Sequence, residues 1–302
     1  MVLDLLINPK KITGNPWEML FIGAIYSFVA AFLALWIFKN YVSLVMITLT
    51  VVASVPFVRS IIEQEEEKRV SSKDDQGIFK LLKQHNSAIK ALMYLFLGFT
   101  VTFTLLYVFM PSEVTERMFS VQLETIITVQ SPDPTGNFIS ATGNYHEVAG
   151  KYTDVTGNYI SPFEIFKRIF MNNTKILLFC AAFSFFFGAG AIFILTWNAS
   201  VMATAIGSFI RNNLFYAESM FDYFQVIVVG LLQYTIHGIP EIMAYFIAAL
   251  ASGMVSFSLM TQEFMSPGFK KVAKDAGVLF TIAAAVIFLA ALIEVYITPV
   301  IL

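Results

Sequence analysis

Apolar residues in this chain of 302 residues gather into long unbroken runs rather than alternating with polar ones. Crossing the hydrocarbon of a bilayer takes about 20 largely apolar residues in a helix. Trp17–Phe38, Ala91–Met110, Ile176–Trp197, Ile239–Thr261 and Ala276–Thr298 meet that length, and Tyr41–Val58 is a shorter candidate. Only Lys39 and Asn40 separate the first two runs, which predicts a tight helical hairpin. The stretch Tyr223–Thr261 is uncharged except at His237 and Glu241. As one helix it would run to about 60 Å, roughly twice the hydrocarbon thickness. Gly238 and Pro240 predict a break there, because proline lacks an amide donor and disfavours helix just before it. That break divides the stretch into a short span, Tyr223–Ile236, and a full one beginning at Ile239. Ala199–Leu214 reads as interfacial or re-entrant. The pattern therefore predicts an all-α integral membrane protein of about seven transmembrane helices, one of them short or broken near Gly238 and Pro240.

Composition agrees: 57% of residues are hydrophobic, 13% are charged, and mean hydropathy is +0.72. A soluble domain carries about 25% charged residues to cover its surface. The net charge of −2 gives no reason to expect a nucleic-acid partner. The single cysteine, Cys180, lies inside an apolar run, which excludes an intrachain disulfide and a cysteine metal site. Trp17–Phe38 follows Lys10 and Lys11 without a convincing small-residue cleavage site, and reads as a retained signal anchor.

Lysine and arginine set the expected orientation. Arg59, Lys68, Arg69, Lys73, Lys80, Lys83 and Lys90 crowd one connection; Lys270, Lys271 and Lys274 lie in another. With both in the cytoplasm, the N-terminus is inside, and loop 111–161 and the C-terminus are outside. Three parts follow: a transmembrane hairpin over 1–58, a cytoplasmic linker with an amphipathic segment over 59–90, and a core over 91–302. The charge run Glu63–Arg69 reads as a solvated helix end or linker. The outer loop repeats every seven residues, with Gly136, Gly143, Gly150 and Gly157 each followed by Asn or Lys and an aromatic. Glycine at that spacing opposes a coiled coil and suits turns joined by short extended pieces, hence a small extracytoplasmic β-rich or irregular loop. It is either a flexible solvated segment or a surface for ligand or self-association.

Charged groups inside hydrocarbon cost several kcal/mol and need partners. His237 and Glu241 are four residues apart, Glu294 lies near the outer end of the last span, and Asn172 and Asn173 precede the fourth, with Arg168 and Lys175 beside them. The expected topology puts all of them near the outer membrane face, as a polar cluster of Asn172, Asn173, His237, Glu241 and Glu294. Such a cluster either ties helix ends together or forms a proton, ion or substrate site. No HExxH or comparable helical pair is present, and neither a metal nor a cofactor is expected. Small residues at Ala244, Ala248, Ser252 and Gly253 form a ladder for close helix packing.

Several landmarks resemble the archaeal branch of the stage II sporulation protein M family. They are Phe79-Lys80-Leu81-Leu82-Lys83-Gln84-His85 with Leu95-Phe96-Leu97-Gly98, then Asn172-Asn173, Phe187-Gly188-Ala189-Gly190, Asn198, Gly207, His237-Gly238-Ile239-Pro240-Glu241 and Ile293-Glu294 with Ile297-Thr298-Pro299. Members tend to have Asn-Gly where this chain has Asn198-Ala199. The resemblance runs over about residues 77–302 and implies a non-enzymatic membrane core. On that reading the core organises partner proteins or shapes membrane; the apolar runs predict contact with lipid, and the small-residue ladder predicts self-association. A channel or transporter using His237, Glu241 and Glu294 is the alternative; an intramembrane hydrolase lacks a convincing nucleophile and base.

Overall fold

The computed structural model describes residues 15–71, 78–130, 161–187 and 190–298. These form eight α-helices: α1 Glu18–Ile37, α2 Val42–Ser71, α3 Ile78–Phe109, α4 Ser112–Gln130, α5 Pro162–Phe187, α6 Ala191–Leu214, α7 Met220–Thr261 and α8 Pro267–Leu292. A single π-helical turn, Ile293–Ile297, continues α8. Seven helices, all but α4, are long and apolar enough to cross a membrane. The chain is a multi-pass, all-α membrane protein.

The count of seven agrees with expectation, but the division does not. The run Ile176–Trp197 is shared by two helices, because α5 stops at Phe187 and α6 starts at Ala191. Gly188 and Gly190 lower helix propensity there. Ala199–Leu214 is the body of α6 rather than an interfacial piece. The break expected at Gly238 and Pro240 is absent: α7 is one helix of 42 residues with Pro240 inside it. Proline removes a single hydrogen bond and costs about 3 kcal/mol, and packing on both sides of Pro240 outweighs that. Gly238 serves a different purpose, since an added Cβ would stand 2.5 Å from the Met202 methyl. Capping fixes where α7 begins: Ser219 accepts from the Asp222 amide while the Asp222 carboxylate accepts from the Ser219 amide.

The first part of loop 111–161 is α4 and not β-rich or irregular. Its apolar positions Met118 and Phe119 are fully buried, Phe119 against Phe103 and Tyr107. Gln122 spans two elements, accepting from Ser43 at 2.7 Å and donating to Ser200 at 3.2 Å. A helical period, hidden by interspersed Glu and Thr, explains the difference. The seven-residue repeat lies outside the described residues.

α1 and α3 cross with Gly23 and Gly98 at the contact. α7 packs along α8 and α5, and α6 runs beside α3 and α7. Phe166 and Phe170 of α5 both meet Phe288 of α8 edge to face, with centroids 5.4 and 5.8 Å apart. Most of the packing ladder is spent within the chain: Ala244, Ala248 and Gly253 are buried in the bundle, Ser252 is half-buried, and Gly253 faces Ser184 and Ile62.

Candidate functional site: a polar cluster in the helix bundle

Helical spacing stacks His237, Glu241 and Tyr245 on one face of α7. Asn173 of α5 is buried and donates through Nδ2 to Glu241 Oε1 at 2.5 Å. Glu294 arrives from the π-helical turn that continues α8, a local widening often found at functional sites. Its Oε1 lies 4.0 Å from His237 Nε2, within ionic reach but beyond a hydrogen bond. Tyr245 Oη and His237 Nδ1 are buried with no hydrogen-bond partner among the described residues. Three helices thus meet through four of the expected residues. Asn172 is exposed and stays out of the cluster, as do the exposed Arg168 and Lys175.

The height of the cluster along the bundle follows from its neighbours. Gly238 packs on Met202, midway along α6, while Gly230 packs on Phe209 and Ile210 near its end. Toward the other end, Ser184 donates to the Ala249 carbonyl at 2.6 Å. The Gly238 region of the cluster therefore lies level with the middle of α6.

A hydrogen bond from a neutral amide to a charged carboxylate contributes about 1.5–3 kcal/mol. Asn173→Ala is expected to lower stability in detergent by that amount, measured by thermal unfolding. Asn173→Asp, which sets a carboxylate against Glu241, is expected to cost more. Equal stability of all three proteins would show that Asn173 does not bind Glu241.

A second polar level was not legible as such. Glu65 and Glu66 of α2 are buried, as are Arg69 of α2, His85 of α3 and Asp275 of α8, all within the connection read as solvated or beside it. Arg69 pairs with Asp275, and Glu65 lies 2.7 Å from His85 Nδ1. Lys68 reaches Glu65 at 2.5 Å, and Thr261 of α7 donates to Glu66 at 3.2 Å. Four helices are tied at this lysine-rich end. The available signal was the spacing Val58, Ile61, Ile62, Glu65, Glu66, Arg69, which keeps one helical face across the change from apolar to charged. A third tie joins α6 to the α3–α4 corner, where Arg211 donates to the Tyr107 carbonyl, Thr115 Oγ1 and Ser112 Oγ at 3.2, 3.1 and 2.8 Å.

Among the described residues, no group of three or more His, Cys, Asp or Glu side chains is placed to hold a metal ion. No curated protein and no solved structure matches the chain. The family of stage II sporulation protein M does, over residues 118–299. That range takes in α5 to α8 and the whole polar cluster, and leaves out α1 to α3 with the landmarks Phe79–His85 and Leu95–Gly98. This chain belongs to the stage II sporulation protein M family.

Proposed function

We propose that this protein is a non-enzymatic membrane scaffold that organises partner proteins or shapes the bilayer. Its N-terminus and lysine-rich end lie in the cytoplasm, and loop 111–161 and the C-terminus lie outside. The observation that carries this reading is the buried tie of α2, α3, α7 and α8 through Arg69, Asp275, Glu65, His85, Glu66 and Thr261. It extends a membrane-length core into a stiff polar platform, which a scaffold needs and a membrane anchor does not. Buried ion networks hold geometry more than they add stability. The polar cluster then acts as a second clamp, joining α5, α7 and α8. With most of the small-residue ladder occupied within the chain, self-association uses uncovered faces. On α5, exposed Phe163, Met171 and Phe179 alternate with exposed Lys167, Arg168 and Lys175.

Cross-linking in native membranes, followed by identification of the captured proteins, is expected to return a constant partner set. That set is expected to shrink when Arg69 or His85 is replaced. Reconstituted vesicles are expected to show no ion or proton flux. A flux abolished by Glu241→Gln would overturn the scaffold reading in favour of transport.

A further inference from the structure

α6 has 24 residues and runs to about 36 Å, enough to cross a hydrocarbon core of about 30 Å and enter the boundary beyond it. When its Ala191 end meets one face of the bilayer, its Leu214 end meets the other. There the α6–α7 connection and the first turn of α7 leave large side chains uncovered: Phe215 is 86% exposed, Tyr216 79%, Met220 85%, Phe221 71% and Phe224 64%. The same few residues are also strongly polar. Glu218 is exposed, and the Asp222 carboxylate, on a half-buried residue, accepts from the backbone amides of Glu218 and Ser219 at 3.2 and 2.8 Å. Next to the tip, Arg211 carries its charge to Ser112 at an exposed contact.

Water suits the capping box and its carboxylates, but it does not suit six uncovered large side chains, Tyr223 included, in ten residues. Hydrocarbon suits those side chains but not the acids or the open turn. Both demands are met together only at the membrane–water boundary, where amphipathic rings collect. The exposed positions of α7, Met220, Phe221, Tyr223, Phe224 and Ile227, cover an arc far wider than the seam one neighbouring helix would fill. A fluid surrounding fits that arc better than a single partner.

We propose that the α6–α7 tip is an aromatic anchor seated in the headgroup–acyl boundary of the bilayer that the chain crosses, with lipid as its occupant. Phe215, Phe221 and Phe224 enter the acyl side, while Glu218 and Asp222 hold the turn in water. The anchor fixes the height of α6 and α7, and through them the height of the polar cluster. It does not depend on the scaffold reading.

Cys180, the chain's one cysteine, is fully buried, so single surface cysteines can be labelled selectively. Met220→Cys, Phe221→Cys, Phe224→Cys and Glu218→Cys would each carry a nitroxide in the full chain. Each is then reconstituted in vesicles of phosphatidylcholine and phosphatidylglycerol, with helicity checked by circular dichroism. Collision rates are read with lipid-soluble oxygen and a water-soluble nickel complex. Labels at 220, 221 and 224 are expected to favour oxygen, and the label at 218 to favour nickel. Preference for nickel at all four sites would place the tip in water and overturn the anchor. Shielding from both reagents would mean a protein partner or a second copy, and would overturn it equally.

Discussion

Arg69→Ala is expected to lower the stability of the detergent-solubilised protein by about 3–5 kcal/mol, the usual cost of removing one partner from a buried pair. Arg69 is fully buried and Asp275 nearly so, and their pairing joins α2 to α8. Alanine would leave the Asp275 carboxylate in the same enclosure without its cation. Most of the loss comes from that stranded charge, not from the attraction given up. Two controls follow from the same argument. Arg69→Lys keeps the charge but loses the planar fork, so it should fall between native and alanine. The double variant Arg69→Met with Asp275→Leu removes both charges and should recover most of the stability. Unfolding followed by circular dichroism against denaturing detergent reads all three. A loss below about 1 kcal/mol for Arg69→Ala is what an exposed pair would give, and it would mean that the lysine-rich end is open to water.

The fold class was open to sequence reasoning because the bilayer imposes one simple demand, about 20 apolar residues per span. Where that demand acts alone, as for Trp17–Phe38, the expected run and the observed helix coincide closely, whereas the helix that holds Ala276–Thr298 already begins at Pro267. The errors arise where a local signal competes with tertiary packing. Pro240 carries a strong local preference against helix, yet α7 runs through it, held by α5, α6 and α8 on several sides. Gly188 and Gly190 carry a weaker preference, and there the helix does end, because a turn between α5 and α6 lets both pack on α7.

The site was legible in its members. Asn173, His237, Glu241 and Glu294 stand out because polar groups in apolar runs need one another. Asn172, next to Asn173, cannot share its role, since adjacent residues point to different sides of a helix. The buried level of Glu65, Glu66, Arg69, His85 and Asp275 stayed hidden for the opposite reason. A charged run is ordinarily solvated, and what reverses that here is contact among helices distant in sequence. Burial of that kind shows only as a helical period that continues from Val58 into Arg69.

Gly98 is the position at which the smallest change should have the largest reach. A methyl group placed there would run into the Leu20 carbonyl oxygen and stand 2.9 Å from the Ala24 nitrogen and 3.1 Å from the Gly23 Cα. On the facing helix, a methyl on Gly23 would stand 2.5 Å from the Leu95 carbonyl oxygen. All of these are backbone atoms, and no rotamer change can move them aside. Within lipid, two helices gain little from hydrophobic burial and depend on close van der Waals approach. Lost contact between α1 and α3 therefore has no substitute. Gly98→Ala is expected to cost about 1–3 kcal/mol, and Gly98→Leu more, enough to lift α1 from α3. The separation can be followed by cysteines placed at Ala24 and Thr102, where Thr102 Oγ1 now donates to the Ala24 carbonyl at 3.4 Å. Disulfide formation between them should be efficient in the native background and largely lost with Gly98→Leu. The family-matched part of the chain, residues 118–299, contains neither helix. The tie between Asn173 and Glu241 should therefore survive in the same variant, leaving the α5–α7–α8 core intact while the hairpin detaches. Undiminished cross-linking in Gly98→Leu would show that the two helices do not meet at their glycines.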